Sequence, residues 1–541
     1  MKRFVATLVT CCIFTLSVHA QRDWMTDNAD AQRSSWMRSD GKINKDSMSK
    51  PGFQFLWKMK VKNAPRQLNS ISSPSTLDRL IGYRGFRMLG FFAGSNNNLI
   101  TIDTDLGRLE WEKQLKVATP PGAGTWACPG GTMTGVARPA LTTIYPAPTG
   151  GGSGRMNPAK GAVGDPGQGA VTLANVRPTN NAGLRQMMPQ AQRVNPANPP
   201  GGQLGAGPFL VYALASDGKL HSLHLSNGAD YESPLPFIPA NANASGLIVA
   251  DQTAYVITTN GCGGAANGVW AMDLISKEIK TLKANVVGTA GVSFGGNDLI
   301  YIATGNGGDK PNSLIALDQK TLAVKASFSG AQEFTSSPVV ISHKGKVMIV
   351  AATKDGRVHL FDSENLNAPV ASSAAMKDAN FTPGALASWQ DLSGTRWILA
   401  PTNGAQAADA GFSAGSGAIT KGAVVAWKVV EQNGKVSLQP GWASRDLISP
   451  LVPTIINGVA FVTSSGEFRP ADNKMPAALR AARSGKAVIY ALDATTGKEL
   501  WNSGTTITSF AHGGAISGSM GQIYLATYDG TIYTFGFPME H

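Results

Sequence analysis

A chain of 541 residues is long enough to bury a large core, but only 15% of it is charged and it holds 62 glycines and 31 prolines. That mix argues against helical bundles and suits many short strands joined by turns. The formal charge of +12 is scattered without a dense basic run, so it reads as surface lysine and arginine rather than a nucleic-acid-binding surface.

Residues 1–20 read as a secretory signal: Lys2 and Arg3, an apolar run from Phe4 to Val18, and a small-residue cleavage site at Val18-His19-Ala20. A lipid anchor on Cys11 or Cys12 is disfavoured, because Thr10 suits a lipobox poorly and the apolar run before it is short. No later apolar run reaches the roughly 18 residues a membrane span needs, so the expected location is periplasmic or secreted. Residues 21–541 are expected to form one domain.

Residues 22–57 are polar and punctuated by aromatics, and they lead into an alternating strand over 53–61. The stretch 85–111 ends in LITIDTDLGRLEW: a strand, Asp103, a turn, Gly107 and Trp111. Residues 141–207 break the pattern with Gly, Pro, Asn and Gln. Arg155, Lys160, Arg177, Arg185 and Arg193 face only Asp165 there, which predicts a long, mobile, basic insertion rather than a domain.

Strand pairs resume at 209–228, 254–274, 299–318 and 347–362, where Asp273, Asp318 and Asp362 recur at intervals of 45 and 44 residues. Looser units follow at 397–430 and 458–501, and a last pair lies at 521–537. The clearest copy is KAVIYALDATTGKELWNSG at 486–504. Asp493 caps a tight turn, Gly497 is free to take positive φ, and the return strand ends on Trp501. Such a hairpin cannot bury its own apolar faces and needs neighbours like itself. Eight pairs, near 103, 223, 273, 318, 362, 427, 493 and 535, predict an all-β fold: an eight-bladed β-propeller of four-stranded antiparallel blades.

The run ALDATTGKELW resembles the repeat of pyrroloquinoline-quinone propellers, the fold of the quinoprotein alcohol dehydrogenases. RDWMTDNADAQRSSW followed by 43–61 is similar to that family's N-terminal entry, IYIATGNGGDKPNSLIALD to its T-G-N segment and VAATKDGRVHLFD to its T-K-N-G segment. The resemblance implies that Trp111 and Trp501 pack between adjacent blades. It also implies a quinone on the propeller axis beside calcium, a hard cation that wants several oxygen ligands. Asn306 matches the family's metal-ligand Asn and Lys354 the Lys that contacts quinone oxygens. Cys128 falls near the family's cysteine pair, but its neighbour is Pro129.

The other positions depart from the family. The segment that should carry a ligand Glu, 260–273, holds no acid before Asp273, which belongs to a turn. The segment that should carry the catalytic Asp, 329–338, offers only Glu333, and no Trp lies between Trp270 and Trp389 to floor a quinone. Glu333 is therefore one candidate catalytic residue, and His512, at the entry of the last blade, is another. An Asn between two glycines, as Asn306 is, also reads as a plain turn residue.

Other chemistry is weaker still. Gly291–Gly295 and Gly411–Gly415 match G-x-S-x-G, but neither leads into a helix as a hydrolase elbow must. His221 and His224 sit at odd spacing on a strand, so they face opposite ways and cannot share a metal. No C-x-x-C-H occurs, so no haem is attached covalently. Cys128 and Cys262 either bridge neighbouring axial loops as a disulfide or remain two free thiols.

The ligand losses favour a chain carrying neither quinone nor calcium, a non-catalytic binding or scaffold protein that takes a protein or small molecule on its axial face. The alternative is a pyrroloquinoline-quinone-dependent alcohol or sugar dehydrogenase with an altered site, passing electrons to a separate cytochrome.

Overall fold

The computed structural model describes residues 23–82, 85–117, 124–130, 135–144, 170–171, 209–376, 380–381, 384–404, 410–415, 417–470, 475–514 and 516–538. The expected signal at 1–20 and nearly all of 141–207, the expected mobile insertion, lie outside these. Within them the chain forms eight sheets.

Blade 1 is Ser75–Gly82, Gly85–Gly94, Asn98–Asp103 and Arg108–Gln114. Blade 2 joins Val136–Ala137 to Leu210–Leu214, Lys219–His224 and Leu235–Pro236, and blade 3 runs from Asn243–Ala250 to Ile279–Lys283. Blades 4, 5 and 6 begin at Ser293–Phe294, Val339–His343 and Ala387–Gln390. Blade 7 is Thr454–Ile456, Val459–Ser464, Val488–Asp493 and Glu499–Asn502. The strand pairs expected from sequence thus fall one to a blade. Apolar clusters fill the seams, as where Phe91 and Leu99 of blade 1 meet Val211 and Leu223 of blade 2.

Blade 8 closes the ring. Its strands Ser517–Ser519, Gln522–Ala526 and Thr531–Gly536 are completed by Gln54–Lys60, which pairs antiparallel with Thr531–Gly536. The alternating stretch at 53–61 is therefore the outer strand of the last blade. Joining the two ends of the fold in one sheet leaves no blade unpaired at the seam.

Three seams share one lock. Trp57 donates through Nε1 to Thr104 O, Trp111 to Leu225 O and Trp442 to Ala494 O, at 2.9, 2.9 and 3.0 Å. Each ring lies on the turn glycine of the next blade: a Cβ at Gly107, Gly228 or Gly497 would come within 2.6–2.7 Å of it. Where the preceding outer strand carries no Trp, a side chain occupies the equivalent left-handed position, Lys277 in blade 3 and Leu322 in blade 4. Trp501 packs edge-on against Phe53 and Phe535 at the seam of blades 7 and 8.

Residues 23–38 belong to the axis. Their carbonyls accept from the inner strands in turn: Trp24 O from Thr76 N, Met25 O from Arg138 N, Ala31 O from Phe294 N, Gln32 O from Val340 N, Ser34 O from Ser388 N and Ser35 O from Ile455 N, at 2.8–3.0 Å. Thr26 and Arg33 reach blade 3 by donating to Leu247 O and Gly246 O. Inner strands present an open row of N–H groups to the axis, and this segment takes one from each of six blades. Left-handed φ at Asn28, Ala29, Arg33 and Ser35 allows the tight coiling this requires. The propeller channel is thereby plugged.

Candidate functional site

Above the plug the axis opens as a cavity of about 1310 Å³. Asp27 and Asn28 form its floor. One side is polar and neutral, with Asn69, Ser72 and Ser73 from blade 1 and Ser245 from blade 3. Another part of the lining is basic, with Lys421 of blade 6 and Arg469, Arg480 and Arg483 of blade 7, and His512 stands at the entry of blade 8.

The three arginines of this basic wall come from an excursion between the blade 7 strands Val459–Ser464 and Val488–Asp493, which carries the short helix Ala477–Arg483. Arg480 and Arg483 are three residues apart and share a helix face. At the centre of the wall lies Glu467, fully buried. Its Oε2 is 3.2 Å from both Nε and Nη2 of Arg469 and 3.0 Å from His512 Nδ1, while Oε1 accepts from Arg480. Burial by itself raises the Glu467 pKa. The close approach of His512 and the charges of Arg469 and Arg480 outweigh it, holding the carboxyl at about 2. The Glu467 carboxylate thus stays ionised across ordinary pH. At the floor, burial dominates instead and pushes Asp27 up to about 6 despite Arg33.

A strap at 124–130 braces the wall from outside. The Arg480 guanidinium lies 4.6 Å over the Trp126 ring, and Trp126 Nε1 donates to Met475 O at 2.7 Å. The strap is tied to blade 3 by a Cys128–Cys262 disulfide, with Cα atoms 5.4 Å apart, and by Asn260 donating to Ala127 O.

The residues matched by family resemblance lie elsewhere. Glu333 pairs with Lys354 Nζ and accepts from the Asn306 amide at 3.2 Å. These three meet one another between blades 4 and 5, while His512 stands apart from them beside Glu467. None of the three lines the axial cavity. Asn306 is exposed, and Lys354 is 68% exposed. The Lys354 hydrogen bond and then the Asn306 amide draw the Glu333 carboxyl below its ordinary range.

These residues do not fit a calcium–quinone site. Glu333 is already neutralised by Lys354, and the loop where a ligand Glu is expected is given over to the disulfide at Cys262. Among the described residues no group of three or more His, Cys, Asp or Glu is placed to hold a metal ion. His221 is buried and its ring nitrogens meet no partner, whereas His224 packs against Tyr231. Ser293, of the first G-x-S-x-G match, is buried in the inner strand of blade 4.

Sequence reasoning reached His512 but missed Glu467, Arg469, Arg480, Arg483 and Lys421. One signal was available: the 458–501 unit is long for a blade, and its excess carries A-A-L-R-A-A-R with arginines at helical spacing.

No protein-family model matches the chain, and no curated protein matches its sequence. Among solved structures it is similar to the quinohemoprotein alcohol dehydrogenase of Comamonas testosteroni, at 13% identity and TM-score 0.55, covering 97% of this chain and 82% of that one. A quinohemoprotein alcohol dehydrogenase from Pseudomonas putida matches at 12% identity and TM-score 0.51, covering 96% of this chain and 81% of that one. A europium-containing methanol dehydrogenase matches at 11% identity and TM-score 0.50, covering 95% and 98%. In fold the chain is an eight-bladed β-propeller like those of the quinoprotein alcohol dehydrogenases, and at these identities the likeness is one of fold alone.

Proposed function

We propose that this chain is an exported, non-catalytic binding protein that takes a small molecule in its axial cup. The observation that carries this reading is the cup itself. Its floor is shut by residues 23–38, and its basic wall is held rigid around buried Glu467. A ligand entering from the open end meets side chains already in place, so little ordering entropy opposes binding. The positions that resemble a quinone site support no second reading, because they form an exposed ion pair outside the cup.

A thermal-shift screen of small polar molecules tests the proposal against a cup-filling variant. Thr289 lines the cup with an exposed side chain, so Thr289→Trp fills space without disturbing the core. Ligands of the cup raise the Tm of the native chain and not of the variant. Stabilisation of both alike rejects the cup as the site. Dye reduction of an alcohol or sugar after loading with pyrroloquinoline quinone and calcium rejects the non-catalytic reading. Export predicts a mature protein whose first residue is Gln21, read by N-terminal sequencing.

A further inference from the structure

We infer that the ligand of the axial cup is a small hydroxylated anion, such as a sugar acid or sugar phosphate, an inference that rests on the binding reading above. Its negative group faces Lys421 and Arg483, and its hydroxyls face Asn69, Ser245 and Thr289.

The charges in the cup are unequally spent. Arg469 and Arg480 are committed to Glu467. Lys421 and Arg483 have no carboxylate partner among the described residues, and both are exposed to the cup. Each is nevertheless held in place. The backbone N–H groups of Thr420, Lys421 and Gly422 donate to Asp446 Oδ1, which fixes the loop and leaves the Lys421 ammonium free. The Arg483 guanidinium lies 5.3 Å over the Phe468 ring, which sets its plane while leaving its N–H edge open. An open guanidinium edge matches a carboxylate or phosphate with two parallel hydrogen bonds.

Two acids bear on the same space. Glu467 is buried under its own cations. Asp27 sits on the floor, away from the basic wall, where its carboxyl accepts from a hydroxyl and repels a second anion. The negative end of a ligand is thereby directed to the wall rather than the floor.

The neutral part of the lining explains the hydroxyls. The side chains of Asn69, Ser245 and Thr289 line the cup and make no hydrogen bond to another described residue. Polar groups facing a water-filled cup offer paired donor and acceptor capacity, which a polyol fills and a bare inorganic anion does not. A neutral sugar, in turn, leaves the basic wall unused.

Calorimetry on the full chain decides this, with D-gluconate, glucose 6-phosphate, D-glucose and acetate as probes. At least one of the first two is expected to bind, and comparing them separates a carboxylate from a phosphate ligand. Glucose and acetate should bind about tenfold more weakly or worse, and the Lys421→Gln, Arg483→Gln double variant should lose about tenfold for the anionic probe. Binding should also weaken with added salt. Glucose binding as tightly as gluconate, undiminished in the double variant but lost in Thr289→Trp, overturns the anion class and leaves the cup as the site. Gluconate binding that Thr289→Trp does not reduce overturns both. No binding of gluconate or glucose 6-phosphate overturns the inference, while stabilisers found by the thermal-shift screen would still uphold the cup.

Discussion

Glu333 and Glu467 are glutamates of the same chain, each beside cations and each with its carboxyl below the usual range, and they differ in nearly every consequence. At Glu333 the lowering begins with a hydrogen bond from Lys354, whose side chain is 68% exposed. Water screens such a pair, and it contributes roughly 0–1 kcal/mol. At Glu467 the first effect is burial, which opposes ionisation, and three surrounding groups are needed to reverse it. The exposed pair is made of residues from segments to which resemblance assigns chemistry, yet it lies off the axial cavity. The buried cluster stands where resemblance places nothing. Location relative to solvent, rather than residue type, separates a surface ion pair from an organised wall.

The sharpest way to break this comparison is to neutralise each acid in turn. Glu467→Gln leaves Arg480 buried without its counter-charge and should cost about 3–5 kcal/mol in urea unfolding. Glu333→Gln should cost under about 1 kcal/mol. Equal effects would mean that the two sites are not different in kind.

Acid tests the same contrast without mutation. The Glu467 pKa is depressed from 4.5 to about 2, so its contribution is complete above 4.5 and is lost as the pH falls from 4.5 to 2. The full loss is about 3 kcal/mol. In Glu467→Gln this segment of the stability–pH curve should flatten, and in Glu333→Gln it should persist.

The strap sets a further difference, since only the Glu467 wall is braced by a bridged loop. Reducing Cys128–Cys262, whose partners are 134 positions apart, should cost about 2–4 kcal/mol. Titration of the unreduced, unfolded protein should find no free thiol from these residues, and two reactive thiols would remove the brace from the account.

Another carboxyl gives an effect of the opposite sign. Asp27 has a folded pKa raised from 3.8 to about 6, so its contribution is favourable below 3.8 and is lost as the pH rises to 6. Asp27→Asn should therefore stabilise the protein at pH 8 and do so progressively less toward pH 4. Its opening to the cup discounts the gain to about 1–2 kcal/mol. A gain of equal size at both pH values would show that titration is not its cause.

Much of the fold was legible because the blade hairpin is a local object. Asp493, Gly497 and a strand-ending Trp recur as a short pattern, and the turn they make depends on neighbours a few residues away. The partner of each Trp was less accessible: the tryptophan lying on Gly497 is Trp442, from the blade before it. The stretch at 53–61 reads plainly as a strand, but nothing in it says that it pairs with Thr531–Gly536. Residues 23–38 show neither period, since their hydrogen bonds go one by one to successive blades rather than to a single partner strand. Of the candidate site, the sequence points only to His512, and Asn306, Lys354 and Glu333 form a separate group.

Sequence alone determined the number of blades, the turn chemistry and the departure from the quinoprotein ligand pattern, because each depends on residues close together in the chain. Only the tertiary structure decided how the ring closes, what fills its axis and where the charged wall stands. Those features pair groups hundreds of residues apart, as Gln54 with Gly536 or Trp126 with Met475. Such pairs are chosen by the geometry of a closed ring and by the cost of leaving its inner N–H groups and buried charges unmatched. Neither cost is written in any local run of residues.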